Sequence, residues 1–179
     1  MNTRPNAPMN RLLISLVVGL AILLTVIVLL GRAFGQSDVR VAKPAPSFVL
    51  KDAQDRPVKL ADFKGKGLIV CFLTTSDKNC QKQMEILNSV LKQCGGTNLV
   101  VLGLSVDQAI SQGAKVYVAQ QPLNYPLCSA DYDTVAAFGG LTAIPTTFII
   151  DGNQNIIQEY VGVTETNVLC TDVRAMSKP

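Results

Sequence analysis

Hydrophobic and polar residues follow three different patterns along this chain, and the first is a long run without charges. Leu12 to Leu30 comprises 19 uncharged residues between Arg11 and Arg32, which is the length that an α-helix needs to cross the hydrocarbon core of a membrane. A cleaved signal peptide is the alternative, because Ala33-Phe34-Gly35 supplies small residues before Gln36. Signal peptides have shorter apolar cores, of about 7 to 15 residues. The pattern therefore favours a retained transmembrane anchor.

The second pattern is the continuous apolar run, which predicts strands that are buried on both faces. Gly67 to Leu73 and Asn98 to Val106 are two such runs. The third pattern predicts one buried face of an α-helix, because apolar residues recur at spacings of four and three. The helix ends at Gly95-Gly96, and its apolar positions are Cys80, Met84, Leu87, Leu91 and Cys94.

Shorter patterns complete the domain. They predict, in chain order, a hairpin of Phe48–Leu50 and Pro57–Leu60, a helical turn over Ala61–Lys64, a weaker helix over 108–120, a strand Tyr125–Leu127, a helix Tyr132–Phe138, an antiparallel pair Thr146–Ile150 and Ile156–Val161, and a last helix Thr164–Met176. Strands and helices alternate before the final strands pair, which predicts an α/β domain.

The patterns divide the chain into four parts: a tail over 1–11, the anchor over 12–30, a tether over 31–42 and a globular domain over 43–179. The tether is rich in small and polar residues, as linkers are. Charge does not decide the orientation of the anchor, because basic residues occur on both sides of it. They are Arg4, Arg11, Arg32, Arg40 and Lys43.

Composition narrows the chemistry that this domain can perform. Of the 179 residues 48% are hydrophobic, the net charge is +3, and histidine does not occur. The lack of histidine excludes catalytic triads and metal sites that need an imidazole. The basic residues are scattered, so nothing indicates nucleic-acid binding. We expect no cofactor and no bound metal ion.

The candidate chemistry centres on a cysteine that follows a buried strand. After Leu73 the chain passes through the polar turn Thr74-Thr75-Ser76-Asp77 and enters the predicted helix with Cys80 in its first turn. A helix N-terminus stabilises a thiolate, whereas the Asp77 carboxylate raises the thiol pKa by repulsion. Asp77 is also a suitable N-cap, whose oxygen accepts the amide hydrogen of Asn79 or Cys80.

Further segments accompany this turn: Lys43 to Asp52, Leu60 to Lys66, Leu104 to Asp107, and Ala143 to Asp151 with Pro145. Together they resemble the membrane-anchored thiol–disulfide oxidoreductases of the TlpA and ResA type, within the redoxin and peroxiredoxin superfamily. The resemblance implies a thioredoxin-like α/β fold with a mixed central sheet flanked by helices. It also implies that the domain lies outside the cytoplasm and that the tail over 1–11 lies inside.

The resemblance implies where this chain departs from the family's Cys-x-x-Cys motif. In that frame Asp77 takes the place of the first cysteine, and Cys80 takes the place of the second. Ser76 stands for a tryptophan, and Gln83 for a glutamate that assists proton transfer. Exchange between two adjacent cysteines is therefore not expected, and Cys80 is the candidate reactive residue.

The resemblance also implies the surroundings of Cys80. Pro145 is expected to be a cis-proline that lies against the turn from Asp77 to Cys80. Ile144, Thr146 and Ser76 are expected to contact the substrate. The implied partners are protein thiols or an extended peptide, the membrane through the anchor, and a redox donor in the membrane.

The other four cysteines have separate interpretations. Cys71 is a small core residue of its strand. Cys94 cannot pair with Cys80, because 14 residues of helix separate them by about 21 Å. Cys170 is interpreted as packing in the last helix. Cys128 follows a short strand and is the remaining candidate for a resolving partner of Cys80.

Three functions stay open at this point. The first is thiol redox work with a single cysteine, and the second is a catalytically silent module that binds an extended peptide through its main chain. The third is a peroxidase, because peroxiredoxins share this fold and place their reactive cysteine at the position of Cys80. Their motif is Thr-x-x-Cys, where this chain has Asp77, and no arginine lies between Arg56 and Arg174.

Overall fold

The structure is a computed structural model that describes residues 43–96, 98–107 and 117–176, together with Leu20. The chain divides into two units, Met1–Arg40 and Val41–Pro179, and the description below concerns the second. In the described ranges no helix is both long and apolar enough to pass through a membrane. Apart from Leu20, the predicted anchor over Leu12–Leu30 lies outside the described residues.

The described residues contain eight strands and three helices, besides the helical residues 117–120. The strands are β1 (Lys43–Pro44), β2 (Val49–Lys51), β3 (Pro57–Lys59), β4 (Gly67–Leu73), β5 (Leu99–Ser105), β6 (Leu127–Ser129), β7 (Thr146–Ile150) and β8 (Asn155–Val161). The helices are α1 (Lys78–Cys94), α2 (Tyr132–Ala137) and α3 (Thr166–Met176), and Leu60–Phe63 forms a 3-10 turn.

Six of these strands form one mixed sheet in the order β1-β8-β7-β4-β5-β6, and β2 and β3 form a separate hairpin. β4 runs parallel to β5 and antiparallel to β7. The position of β4 in the middle follows from its composition, because residues 68–73 are all buried and such a strand needs neighbours on both edges and layers on both faces.

The two faces of the sheet carry separate cores. Ile69, Cys71 and Leu73 alternate with the other residues of β4 and pack in the cluster that includes α1 and α3. Leu68, Val70 and Phe72 point to the opposite cluster, which includes the β2–β3 hairpin and Phe138 after α2. Because side chains alternate along a strand, the face on which a residue lies decides which helix it can meet.

The order of elements agrees with the sequence predictions. β4 and β7 have the predicted bounds, and α1 extends over the predicted apolar face. The strand expected over Tyr125–Leu127 is instead Leu127–Ser129, where the chain pairs with β5. The predicted helix over 108–120 falls largely outside the described residues, although 117–120 are helical.

Candidate functional site

The turn between β4 and α1 is fixed by its own polar residues. Asp77 has an extended backbone and is the N-cap of α1, and its Oδ1 accepts the N–H of Cys80 at 2.9 Å. This contact confirms the predicted cap. Gln81 from the first turn of α1 donates its Nε2 hydrogen to the carbonyl of Thr75 at 2.8 Å. The turn therefore has one defined geometry, in which Cys80 faces inward.

Asp107 anchors the same turn from the next strand. Its Oδ2 accepts hydrogen bonds from the N–H of Thr75 at 2.9 Å and from the Thr75 hydroxyl at 3.0 Å. The Ser105 hydroxyl donates to the same oxygen at 2.8 Å. Asp107 belongs to the Leu104–Asp107 segment that carries the family resemblance, but no role was predicted for it from the sequence. Its role is to tie the end of β5 to the turn that leads to Cys80.

Pro145 directly precedes β7 and has the predicted cis bond to Ile144. The β4–β7 ladder ends with Phe72 opposite Thr146, so Pro145 comes next to the end of β4, where the turn begins. The carbonyl of Pro145 accepts the N–H of Gly162 at 2.7 Å. The cis-proline segment is thus bound to the end of β8 as well.

The three residues expected to contact a substrate differ in exposure. Ser76 is exposed, Ile144 is half-buried, and Thr146 is buried. The hydroxyl of Thr146 donates to the carbonyl of Ala143 at 2.7 Å, so this side chain shapes the cis-proline segment. Substrate contact at Ser76 and Ile144 stays a prediction.

Cys80 is free and has no exposed surface. Burial raises the pKa of its thiol above the ordinary value, and the Asp77 carboxylate raises it further. Hydrogen bonding at Thr74 lowers the pKa but does not outweigh burial. Near neutral pH the residue is therefore a protonated thiol beneath the surface of the site.

Cys71 is the buried strand residue that the sequence predicted. It lies in the same core cluster as Cys80 and receives a hydrogen bond from the Thr147 hydroxyl at 3.4 Å. Burial raises the pKa of its thiol to about 12. An ordinary core role explains this residue.

Cys128 does not meet Cys80, which corrects its interpretation as a resolving partner. The residue belongs to the cluster on the opposite face of the sheet, whereas Cys80 lies on the face of α1 and α3. Its backbone forms an isolated antiparallel β-bridge with Asp52. Burial raises the pKa of its thiol to about 12. Cys128 lies within β6 and not after it, and it is paired with Leu104 of β5, whose side chain belongs to the same cluster. Because side chains alternate along a strand, Leu127 faces α1 and Cys128 faces away from it.

Cys94 and Cys170 form a disulfide, with 5.7 Å between their Cα atoms. The exclusion of a Cys80–Cys94 pair was correct, but Cys170 is not a packing residue alone. The bond joins the last residue of α1 to the middle of α3, 76 residues later in the chain. Only the packing of the two helices brings these residues together.

Gln83 is fully buried one helical turn after Cys80. Its Oε1 accepts the N–H of Thr164 at 2.7 Å, and its Nε2 donates to the carbonyl of Thr164 at 3.5 Å. The sequence comparison treated this residue as a lost carboxylate. In the structure the amide instead binds the main chain just before α3.

The fold, the strand–turn–helix site and the cis-proline directly before β7 define a thioredoxin-like protein. A profile of the AhpC/TSA family matches residues 41–159, and the chain belongs to that family. The match spans most of the globular unit and includes the turn, Cys80 and Pro145.

Individual relatives agree with this class. The chain is 29% identical over 127 residues to the thiol-disulfide oxidoreductase ResA of Bacillus thuringiensis subsp. konkukian (strain 97-27), which covers 71% of this chain and 73% of the relative. It is also 29% identical to a solved thiol:disulfide interchange protein of the thioredoxin family from Chlorobium tepidum TLS. That structure covers 78% of this chain and 99% of its own, with a TM-score of 0.69.

A third comparison concerns the fold alone. A solved DsbF homologue from Corynebacterium diphtheriae has a TM-score of 0.70 at 20% identity, over 77% of this chain and 89% of its own. The chain is thus a member of the AhpC/TSA family that is similar to thiol–disulfide oxidoreductases of the ResA and thioredoxin types.

Proposed function

We propose that this chain is a membrane-tethered thiol-redox protein that works outside the cytoplasm with a single cysteine, Cys80. The observation that carries the proposal is the location of Cys80, in the first turn of α1 and capped by Asp77, beside a cis-proline segment. In the related oxidoreductases this position belongs to the second cysteine of a pair. Asp77 stands where the first would be.

The reaction follows from the presence of one thiol in the turn. The Cys80 thiolate attacks one sulfur of a substrate disulfide, forms a mixed disulfide, and releases the other sulfur as a thiolate. An external thiol then attacks the Cys80 sulfur of the mixed disulfide and releases the substrate in reduced form, which leaves Cys80 bonded to the external thiol. A second external thiol attacks that disulfide, restores Cys80, and leaves the two external thiols joined as a disulfide. Protein thiols or an extended peptide segment are the proposed partners, with a redox donor in the membrane.

The location outside the cytoplasm has two supports. The uncharged run Leu12–Leu30 has the length of a membrane-spanning helix. The second support is the Cys94–Cys170 disulfide, because structural disulfides persist in oxidising compartments and are rare in the cytosol. Protease added to spheroplasts should therefore cleave the domain, and protection equal to that of a cytosolic control would reject this orientation.

A silent binding module is the second candidate, and the burial of Cys80 favours it. A thiol without exposed surface and with a raised pKa reacts slowly. In this alternative the exposed turn at Ser76 and the segment at Ile144 bind a peptide through main-chain groups and exchange no disulfides. A peroxidase has weaker support, because the charged residue that affects Cys80 is Asp77, which raises its pKa.

Trapping of a mixed disulfide separates these candidates. The full chain in detergent is incubated with oxidised glutathione, and the modified cysteine is identified by mass spectrometry. The redox proposal expects a glutathione adduct on Cys80, which dithiothreitol removes, and none in a Cys80→Ser variant. An unmodified Cys80 after prolonged incubation would instead support the silent module. Oxidation of Cys80 by hydrogen peroxide at a much higher rate than its reaction with oxidised glutathione would support the peroxidase.

A further inference from the structure

A short segment links the cis-proline to α1 around Cys80. It consists of Gly162–Thr164, joins β8 to the start of α3, and is called the strap below. Val163 of the strap packs against the buried cluster that contains Cys80. The strap therefore covers part of the core in which Cys80 is buried and is a candidate for the element that shields it.

Both ends of the strap are bound to the site. Gly162 donates its N–H to the carbonyl of Pro145 at 2.7 Å. Thr164 donates its N–H to Oε1 of Gln83 at 2.7 Å, and the Gln83 amide donates back to the Thr164 carbonyl at 3.5 Å. The strap is therefore bound to the cis-proline segment at one end and, at the other, to a residue of α1 that lies one turn after Cys80.

We infer that Gln83 is a positioning residue that holds the strap across Cys80 and so controls access to this thiol. The biological role of this control rests on the proposed function, whereas the shielding of the Cys80 thiol requires no redox activity. Gln83 touches no reacting atom in this account. It acts through the main chain of Thr164.

The residue type fits this role. A glutamine amide presents one acceptor and one donor, which match the N–H and the carbonyl of a single residue. Gln83 and Thr164 are both buried, so water does not replace these bonds when they are lost. A carboxylate at the same position would keep the acceptor, lose the donor, and face the Thr164 carbonyl with a negative charge.

The rest of α3 is held independently of Gln83. The Cys94–Cys170 disulfide joins it to the far end of α1, and Asp172 accepts a hydrogen bond from the Tyr160 hydroxyl at 2.7 Å. Loss of the Gln83 contact should therefore release the strap without releasing α3. The titratable groups beside this contact are the Cys80 thiol, one turn before Gln83, and the Lys82–Glu165 pair, whose Nζ and Oε1 atoms are 3.5 Å apart.

The test measures how fast each free cysteine reacts with N-ethylmaleimide in the full chain in detergent. Gln83→Glu and Gln83→Met should each raise the rate at Cys80 by about tenfold or more, because a buried hydrogen-bonding pair is lost. The rate at Cys128, on the other face of the sheet, should not change. Gln93→Glu is the matched control, since Gln93 lies on the same helix and is exposed.

The pH profile distinguishes positioning from general damage. Burial at this position raises the pKa of the introduced carboxyl above its usual value of about 4.3. Below about pH 5 the carboxyl is therefore mainly protonated and regains a donor, so the Cys80 rate of Gln83→Glu should fall towards the wild-type rate at the same pH. Gln83→Met should show no such recovery. The inference is overturned if neither variant speeds the reaction at Cys80, or if Cys80 and Cys128 become faster in equal measure.

The outcome is separable from that of the proposed function. Faster labelling of Cys80 in both variants, with no mixed disulfide in any protein, would keep the strap and reject the redox role. A glutathione adduct on wild-type Cys80, with labelling that does not respond to Gln83→Met, would do the opposite.

Discussion

The two ends of helix α1 each carry a cysteine, and the structure gives them opposite environments. Cys80 at the first end is free, fully buried and protonated. Cys94 at the other end is half-buried and bonded to Cys170 of α3. Both residues lie on the same apolar face of one helix, so the helix itself does not account for the difference.

The difference depends on what each end of α1 meets. At the Cys94 end, α3 packs close enough to bring Cys170 within 5.7 Å between Cα atoms, inside the range that a disulfide allows. At the Cys80 end, the residue three positions earlier is an N-cap carboxylate, and the segment before α3 is bound by an amide. The Cys94 end of α1 is therefore joined to α3 by a disulfide, which is called the staple below, and the Cys80 end is joined to the segment before α3 by hydrogen bonds.

The largest expected effect comes from removing the staple. Replacing Cys94 and Cys170 together by alanine should lower the free energy of unfolding by about 4 kcal/mol, as expected for a loop of this length. Urea denaturation of the full chain measures the change. Dithiothreitol should lower the wild-type midpoint to that of the double variant and leave the variant unchanged. An equal response of both proteins would show that the staple does not stabilise α3 on α1.

The free thiols should make stability depend on pH where the bonded ones do not. The pKa values of Cys71 and Cys128 are raised from 9.0 to about 12 by burial, so the unfolded state loses its protons first. Stability is fully present below about pH 9 and declines between pH 9 and 12, by at most about 1.4 kcal/mol per pH unit for each thiol.

Urea midpoints at pH 7, 9 and 10 check this dependence. A Cys128→Ala variant should show a shallower decline than the wild type, because one of the three thiols with a raised pKa no longer titrates. A decline that is the same in both proteins would assign the effect to other groups.

Asp77→Cys should convert the first end of α1 into a working pair. The new thiol would occupy a helix N-terminus, where its pKa is lowered, and Cys80 would be available to resolve the mixed disulfide. We expect insulin reduction with dithiothreitol at least about tenfold above the wild type, which itself stays near background. Adding Cys80→Ser should remove the gain. Strong activity in the wild type that disappears in Cys80→Ser would reveal another resolving thiol.

Asp77→Asn should have the smallest effect on the reactivity of Cys80. This variant separates the effect of the Asp77 charge from the effect of its N-cap hydrogen bond. Asparagine keeps an acceptor for the N–H of Cys80, while the repulsion that raises the Cys80 pKa is removed. The reaction of Cys80 with N-ethylmaleimide at pH 7.5 should become faster by no more than about threefold, because burial remains the main cause of the raised pKa. A slower reaction would contradict this assignment.

Local elements of the site were predictable from the sequence. The apolar run that became β4, the Asp77 cap and the apolar face of α1 are encoded by neighbouring residues, since periodicity and capping act over a few positions. The cis-proline was predictable from its resemblance to a known motif. Asp107 was present in a recognised segment, but its hydrogen bonds to Thr75 cross between strands and have no local signature.

The sequence by itself determined the class of domain, the site turn and the position of Cys80 within it. Only the tertiary structure decided the partners of the other cysteines and of Gln83. The pairing of Cys128 with Leu104 placed its side chain on the face away from Cys80, and the docking of α3 joined Cys94 to Cys170. The physical reason is that hydrophobic periodicity specifies which face of an element is buried, whereas the pairing of two buried residues depends on the register and contact of elements far apart in the chain.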